Sequence, residues 1–383
     1  MQAMTKHPKI LGVAHGDPNS PSTYSGVPYH LFAQLRQMGY LVGAVDGFIR
    51  KDYIDTFCGL LDVRRSLREF RPKHNALWRF CNYGMKTLTR RFQQAERTMF
   101  AHDVVLQFGV GALPVDGVKL VSHVEISVAT AINTDIFAKR YGFNNHSRRK
   151  IKEAIAGEKY FLDRCSLVIT NSEWTAEGLR QQGVDNGRLR IRTPAAGAED
   201  PGIVERKWDV CNILFVGIDW ERKGGPLLVE AFSKVRKANP KATLSIVGCK
   251  PQVRMDGVKV YGYLRKDVPD ERDLLNSLYR SATIFCMPTY WDSTGIVYME
   301  AALWGLPVVM LKGQGREKLF PPSMGIHIEH TTALALAETL VELGKKPEIM
   351  AEMGKCGRQI VLQNYTWPVV AAKIAEDIKE IIC

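Results

Sequence analysis

The sequence predicts an α/β protein made of two parallel sheets of similar size, and three observations carry that prediction. Apolar, β-branched runs, each followed by turn residues and then by a segment of helical period, recur from end to end. The 383 residues exceed the length at which one hydrophobic core usually stops growing, so two domains are expected. Residues 193–207, with Pro194, Gly197, Pro201 and Gly202 and no periodicity, read as a linker between them, and a cleft should open there.

In the first half the strand candidates are residues 10–14, 41–45, 104–108, 119–123, 167–170 and 190–192. In the second they are 213–216, 243–247, 259–261, 283–287, 308–311 and 326–328. Apolar residues at three- and four-residue spacing mark helices that include 27–38, 151–163, 226–237, 271–280, 296–304, 333–343 and 368–382. Pro226 suits a first helical turn, and Thr366 before Trp367-Pro368 suits an N-cap followed by proline.

Composition narrows the class. Hydrophobic residues make up 45% and charged residues 24%, as in a folded globular chain rather than a disordered or fibrous one. No run approaches the roughly 18 apolar residues of a spanning helix, and the first ten residues lack the apolar middle of a signal peptide, so the expected location is the cytoplasm. The eight cysteines are scattered without metal or redox spacing and read as reduced structural residues.

The net charge of +12 is uneven: residues 1–195 hold 28 Lys and Arg against 17 Asp and Glu, the remainder 24 against 23. The densest part is residues 64–97, which includes Arg64, Arg65, Arg68, Arg71, Lys73, Arg79, Lys86, Arg90, Arg91 and Arg97. Phe70, Leu77, Trp78, Phe80, Leu88 and Phe92 lie among them. Basic residues interleaved with apolar ones suit anionic lipid head groups, so peripheral contact with the inner face of a membrane is expected through this segment. No nucleic-acid module accompanies the charge, and binding of nucleic acid is not expected.

The strongest chemical signal runs from Pro288 through Tyr290, Asp292, Gly295 and Glu300 to Ala301. A strand ends near Met287, a loop follows, and a helix starts around Gly295. Free amides at such a start, with the positive end of the helix dipole, bind phosphate. Glu300, just over one turn in, can face a ribose hydroxyl pair, and Asp292 in the loop can reach a sugar hydroxyl. A second strand–loop–helix unit carries Gly217, Asp219, Arg222, Lys223 and Gly224, and its two adjacent cations can make charge-assisted hydrogen bonds to phosphate. In the first half, Ser25-Gly26 opens a helix after the first strand, and His123 stands at a strand end, with His15 and Asp17 placed similarly after the first strand.

The acidic pair separated by seven residues resembles the motif of the retaining glycosyltransferases of family 4, the glycogen synthase type. The likeness extends over the second half and, more weakly, the first. It implies two Rossmann-like domains facing each other across a cleft, the GT-B fold. Residues 1–195 would receive the acceptor, 208–366 would hold the donor, and a helix over 367–383 would cross back to the first domain. The roles implied are sugar contact by Asp292, distal phosphate contact by the amides of Gly295, Ile296 and Val297, and ribose contact by Glu300. Lys223 and Arg222 would face the diphosphate, Gly26 would approach it closely, and His123 would face the donor sugar.

Three departures stand out: Asp292 replaces the usual glutamate, Ile218 takes the usual arginine position, and Ser25 replaces a glycine. The resemblance further implies attack by the acceptor on the leaving group's own face, with a departing phosphate oxygen taking the proton. No Asp-x-Asp occurs in the sequence, so no metal is expected, and no cofactor beyond the nucleotide-sugar co-substrate. The basic first half suggests an anionic or lipid-linked sugar acceptor. An epimerase, a phosphorylase and a non-catalytic relative on the same fold stay open as alternatives, although no pyridoxal lysine is identifiable.

Overall fold

A computed structural model describes residues 7–47, 80–134 and 146–382, with 138, 139 and 143. Of the basic segment, Arg64, Arg65, Arg68, Arg71, Lys73 and Arg79 lie outside the described residues. The chain divides into two compact units, one of residues 1–193 with 367–383 and one of residues 194–366.

The first unit holds β1 (Ile10–Ala14), β2 (Leu41–Asp46), β3 (Val104–Phe108), β4 (Lys119–His123), β5 (Leu167–Thr170) and β6 (Leu189–Ile191). They form one parallel sheet in the order β2-β1-β3-β4-β5-β6. Its helices are α1 (Val27–Gln37), α2 (Asn82–Glu96), α3 (Val128–Ile132), α4 (Arg148–Leu162) and α5 (Glu173–Gln181). β1 and β3 are buried along their whole length, which is why they read as unbroken apolar runs rather than as alternations.

The second unit repeats the plan. Its strands are β7 (Asn212–Val216), β8 (Thr243–Val247), β9 (Val258–Gly262), β10 (Ile284–Cys286), β11 (Val308–Leu311) and β12 (Gly325–Ile328). The sheet is parallel, in the order β12-β11-β10-β7-β8-β9. Helices α6 (Gly225–Ala238), α7 (Pro269–Ser281), α8 (Ile296–Leu303), α9 (Arg316–Leu319), α10 (Ala333–Gly344) and α11 (Pro347–Asn364) belong to it. Strand direction of travel reverses between β10 and β7, so the loops after these two neighbours leave a crevice at the carboxyl edge.

The last helix, α12 (Trp367–Glu380), belongs to the first unit. Arg192, just beyond β6, grips its buried Asp377 with a two-pronged pair, Nε to Oδ2 at 2.7 Å and Nη2 to Oδ1 at 2.6 Å, and the Trp367 ring stacks on His30 at 5.3 Å. Residues 194–207 have no regular structure but pack on the second unit. Arg206 is the reason: its guanidinium donates to the carbonyls of Tyr279, Arg280 and Ala282 at the end of α7 and to that of Trp304 after α8. These carbonyls have no partner within their own helices, so one cation satisfies two helix ends.

Several helices escape the apolar-period reading. α5 starts with a capping box in which the Ser172 hydroxyl accepts from the Thr175 amide and Thr175 Oγ1 accepts from the Ser172 amide. α2 and α11, at 15 and 18 residues, were absent from the sequence-based set as well.

Two local features carry predictions. Tyr24, Ser25 and Gly26 form a left-handed turn ahead of α1, with φ of 47°, 56° and 82°. A residue with a Cβ is strained there by about 1–2 kcal/mol. Ser25→Gly should therefore raise the unfolding free energy by up to about 1–2 kcal/mol, while Ser25→Val, whose β-branch tolerates positive φ less well than serine, should lower it, both read from urea denaturation. His102, after α2, faces an oxygen acceptor with each ring nitrogen: Nε2 meets Glu96 Oε1 at 2.9 Å and Nδ1 meets the Phe100 carbonyl at 2.7 Å. Two acceptors require both nitrogens to carry protons, and the Glu96 hydrogen bond raises the His102 pKa above 6.5 against the effect of burial. The contribution is thus full below pH 6.5 and lost as pH rises through the raised value. The stability gap between the wild type and His102→Gln should shrink over that climb in chemical denaturation run across pH.

Candidate functional site

In the second unit two loops, 217–224 after β7 and 287–295 after β10, are built against each other. Gly224 is left-handed at φ 73°, and a β-carbon there would overlap the Pro288 carbonyl, so glycine lets the loops touch. The Arg222 carbonyl accepts from the Tyr290 amide at 3.0 Å and from Thr289 Oγ1 at 3.1 Å. Trp220 covers Gly225, the first residue of α6, and meets the Phe215 ring at 5.6 Å. Pro226 then falls in the first turn of the helix.

Across this seam the Lys223 ammonium pairs with Asp292 Oδ2, and both side chains are largely buried. Burial pushes the Asp292 carboxyl up, but Lys223, aided by Arg222 and Arg316, more than offsets it and holds the group below the ordinary carboxylate range. Burial, with the charges of Arg222 and Arg316, holds Lys223 below its ordinary value in spite of Asp292. Arg222 donates from Nε to Asp219 Oδ2 at 3.2 Å and from Nη1 to the Trp291 carbonyl at 2.8 Å. The guanidinium thus ties its own loop to the one opposite. Ile218, in the position where arginine was expected, is 65% exposed.

Gly295 is the left-handed N-cap of α8 at φ 75°, and a β-carbon on it would strike the Tyr298 ring. The amides of Ile296 and Val297 belong to the first turn, where no helix carbonyl reaches them. Glu300, 3% exposed, is held from both sides: Lys266, in the loop after β9, pairs with Oε1, and the Tyr279 hydroxyl of α7 donates to Oε2 at 3.3 Å. Lys266 also donates to the Gly197 carbonyl at 3.3 Å, and a β-carbon on Gly197 would stand 2.9 Å from Glu300 Oε1. The two carboxylates of the motif are therefore served by different lysines.

Sequence reasoning overlooked Lys266 and Arg316. Arg316, 1% exposed, donates from Nε to the Leu311 carbonyl at 2.9 Å and from Nη2 to the Thr289 carbonyl at 3.4 Å. Its signal was the run Gly313-Gln314-Gly315-Arg316 directly after a strand. Lys266 had none, since it is one charge within a polar loop.

In the first unit Gly26 closes the left-handed turn and is the N-cap of α1; a β-carbon on it would lie 3.1 Å from the Pro21 carbonyl. His123 ends β4, is 2% exposed and packs its ring on Phe108 at 4.8 Å. Burial pushes its pKa down to about 4, so the imidazole is neutral at physiological pH. Its Nδ1 has no hydrogen-bond partner among the described residues. His15 bonds through Nε2 to the Val110 carbonyl at 3.0 Å.

Comparison with known proteins bears on the second unit above all. Residues 211–346 match the family described as glycosyl transferases group 1. A GDP-mannose-dependent monoacylated alpha-(1-6)-phosphatidylinositol monomannoside mannosyltransferase of Corynebacterium glutamicum is 30% identical over 216 residues, covering 50% of this chain and 53% of that protein. A D-inositol 3-phosphate glycosyltransferase of Pseudarthrobacter chlorophenolicus is 26% identical over 245 residues, 56% of each. The chain thus spans about half the length of the curated relatives it matches. The solved sucrose-phosphate synthase of Thermosynechococcus elongatus superposes with a TM-score of 0.65 over 98% of this chain and 99% of that one, at 16% identity, which speaks to fold alone. Two parallel six-stranded sheets and the likeness to solved structures agree on the GT-B fold, and within it residues 211–346 match the glycosyl transferases group 1 family.

Proposed function

We propose that the chain is a retaining, metal-independent glycosyltransferase that moves a hexosyl group from a nucleotide-diphosphate sugar to an anionic, lipid-linked acceptor. The observation that carries this reading is the buried Lys223–Asp292 pair at the start of α8, where a cation and a sugar-reaching carboxylate share one seam. In this reading the donor's distal phosphate meets the amides of Gly295, Ile296 and Val297 with Lys223, the ribose meets Glu300, and Asp292 contacts the sugar. Arg222, anchored to Asp219 and Trp291, acts on the diphosphate mainly through its charge.

The chemical task is then electrostatic. Negative charge grows on the departing diphosphate while the sugar takes on oxocarbenium character, and fixed donors around the phosphate stabilise that transition state. The acceptor hydroxyl attacks from the leaving group's own face, and a phosphate oxygen takes its proton. Within the first domain taken by itself, Gly26 offers a close-approach turn and the neutral His123 a hydrogen-bonding group rather than a cation.

Two named relatives act on phosphorylated inositols, one of them with GDP-mannose. The first half of this chain carries a net +11 by sequence, a charge suited to such acceptors. A GDP-hexose donor and a membrane acceptor follow as the favoured pair. The basic segment would rest on the cytoplasmic leaflet, where each Lys or Arg contributes about 1 kcal/mol at most.

The test is a transfer assay with GDP- and UDP-sugars and phosphatidylinositol vesicles, run in EDTA, with the product's anomeric configuration read by NMR. The reading predicts turnover that survives the chelator and a product of the donor's own configuration. Lys223→Met should lower kcat/KM by about 100-fold or more, the loss of one preorganised cation. Inversion at the anomeric carbon, loss of turnover in EDTA, or a variant as fast as the wild type would each contradict it.

A further inference from the structure

Arg316 has no task in the function proposed above, yet the fold goes to some length to place it. It opens α9 directly after Gly313, Gln314 and Gly315, three consecutive residues with φ of 130°, 52° and 70°. Gln314 adopts a left-handed conformation that side-chain-bearing residues rarely take. The turn delivers a guanidinium that is 1% exposed and whose hydrogen-bond acceptors among the described residues are all neutral: the carbonyls of Leu311 and Thr289 and the Gln314 amide oxygen. A buried arginine whose bonds include no carboxylate is unusual, because its charge is left for some other anion to balance.

The loop it touches is the one that holds the motif. Three cations reach three nearby residues of that loop: Arg316 the Thr289 carbonyl, Arg222 the Trp291 carbonyl and Lys223 the Asp292 carboxylate. Against these three positive charges the cluster sets two negative ones, Asp292 and the Asp219 that pairs with Arg222. One positive charge remains over. At the same place Thr294, 3% exposed, has a hydroxyl with no hydrogen-bond partner among the described residues.

We propose that Arg316 is a positioning residue of the donor site: it holds the Thr289–Asp292 stretch from behind and supplies the surplus positive charge that a bound diphosphate neutralises. Asp292 would otherwise cancel the charge of Lys223, leaving little field for a phosphate. With Arg316 in place, the carboxylate can stay ionised and reach the sugar while Lys223 remains available to the leaving group. The inference rests on reading the two loops as a diphosphate site.

The experiment is calorimetric titration of the full chain with inorganic pyrophosphate at low and high ionic strength, for the wild type, Arg316→Gln and Arg316→Lys. The wild type should bind, more weakly in salt. Arg316→Gln, which keeps polarity without charge, should bind about ten-fold more weakly and lose part of the salt dependence, whereas Arg316→Lys should stay within about three-fold of the wild type even if its melting temperature falls. Arg316→Gln binding like the wild type, or Arg316→Lys losing affinity as fully as Arg316→Gln, would overturn the proposal while leaving the diphosphate site itself standing. Should Arg316→Gln not fold, Arg316→Lys decides alone: retained affinity supports the role of the charge, and a ten-fold loss overturns it. If the wild type binds neither pyrophosphate nor a nucleoside diphosphate, the reading of the site falls first.

Discussion

A buried lysine and a buried aspartate, drawn together from the loops after two adjacent strands, organise the candidate site of the second unit. β7 and β10 are neighbours because the sheet reverses its direction of growth between them. That reversal separates the helices that follow and leaves a crevice at the carboxyl edge, and the Lys223–Asp292 pair joins the two loops there. Charges taken out of water are costly unless they pair, so each constrains the other's position. Gly224, Thr289, Arg222 and Arg316 fix the backbone around the pair, and the start of α8 presents its amides beside it.

This arrangement places more positive than negative charge in a confined volume next to a helix N-terminus. Such a setting favours a polyanion over a neutral ligand, and favours it most when charge is growing during the reaction. Glu300 stands apart, held by Lys266 and Tyr279 rather than by the cationic loop. A ribose approaching Glu300 must share or displace the Lys266 contact, and through Lys266 that carboxylate is linked to the Gly197 carbonyl in residues 194–207. In the first domain the logic is reversed: His123 is neutral because it is buried, not because it is paired with a charge.

Much of the fold was legible because parallel strands buried on both faces are written as apolar runs. β1, β3 and β8 were read to the residue, while β6 and β10 differed at each end by one position, where hydrogen bonds rather than hydrophobicity set the limit. α5 was missed because a capping box, not an apolar stripe, announces it. Residues 193–207 read as an interdomain linker since Pro and Gly mark irregular backbone, but sequence does not reveal that Arg206 would clasp four carbonyls of the second unit. At the candidate site, Lys223, Asp292 and Gly295 were legible from strand–loop–helix context. Lys266 was not, because one charge in a polar loop acquires meaning only where the chain brings it onto Glu300, and Arg316 was signalled only by the glycine-flanked turn before it, not by its place against Thr289.

The account turns on where the charge of a bound donor is received, and a crystal structure with GDP or UDP measures that directly. The terminal phosphate is predicted to lie within about 3 Å of Lys223 Nζ and of the amides of Ile296 or Val297, with the ribose against Glu300. A diphosphate bound elsewhere, with Lys223 still turned to Asp292 alone, would contradict it.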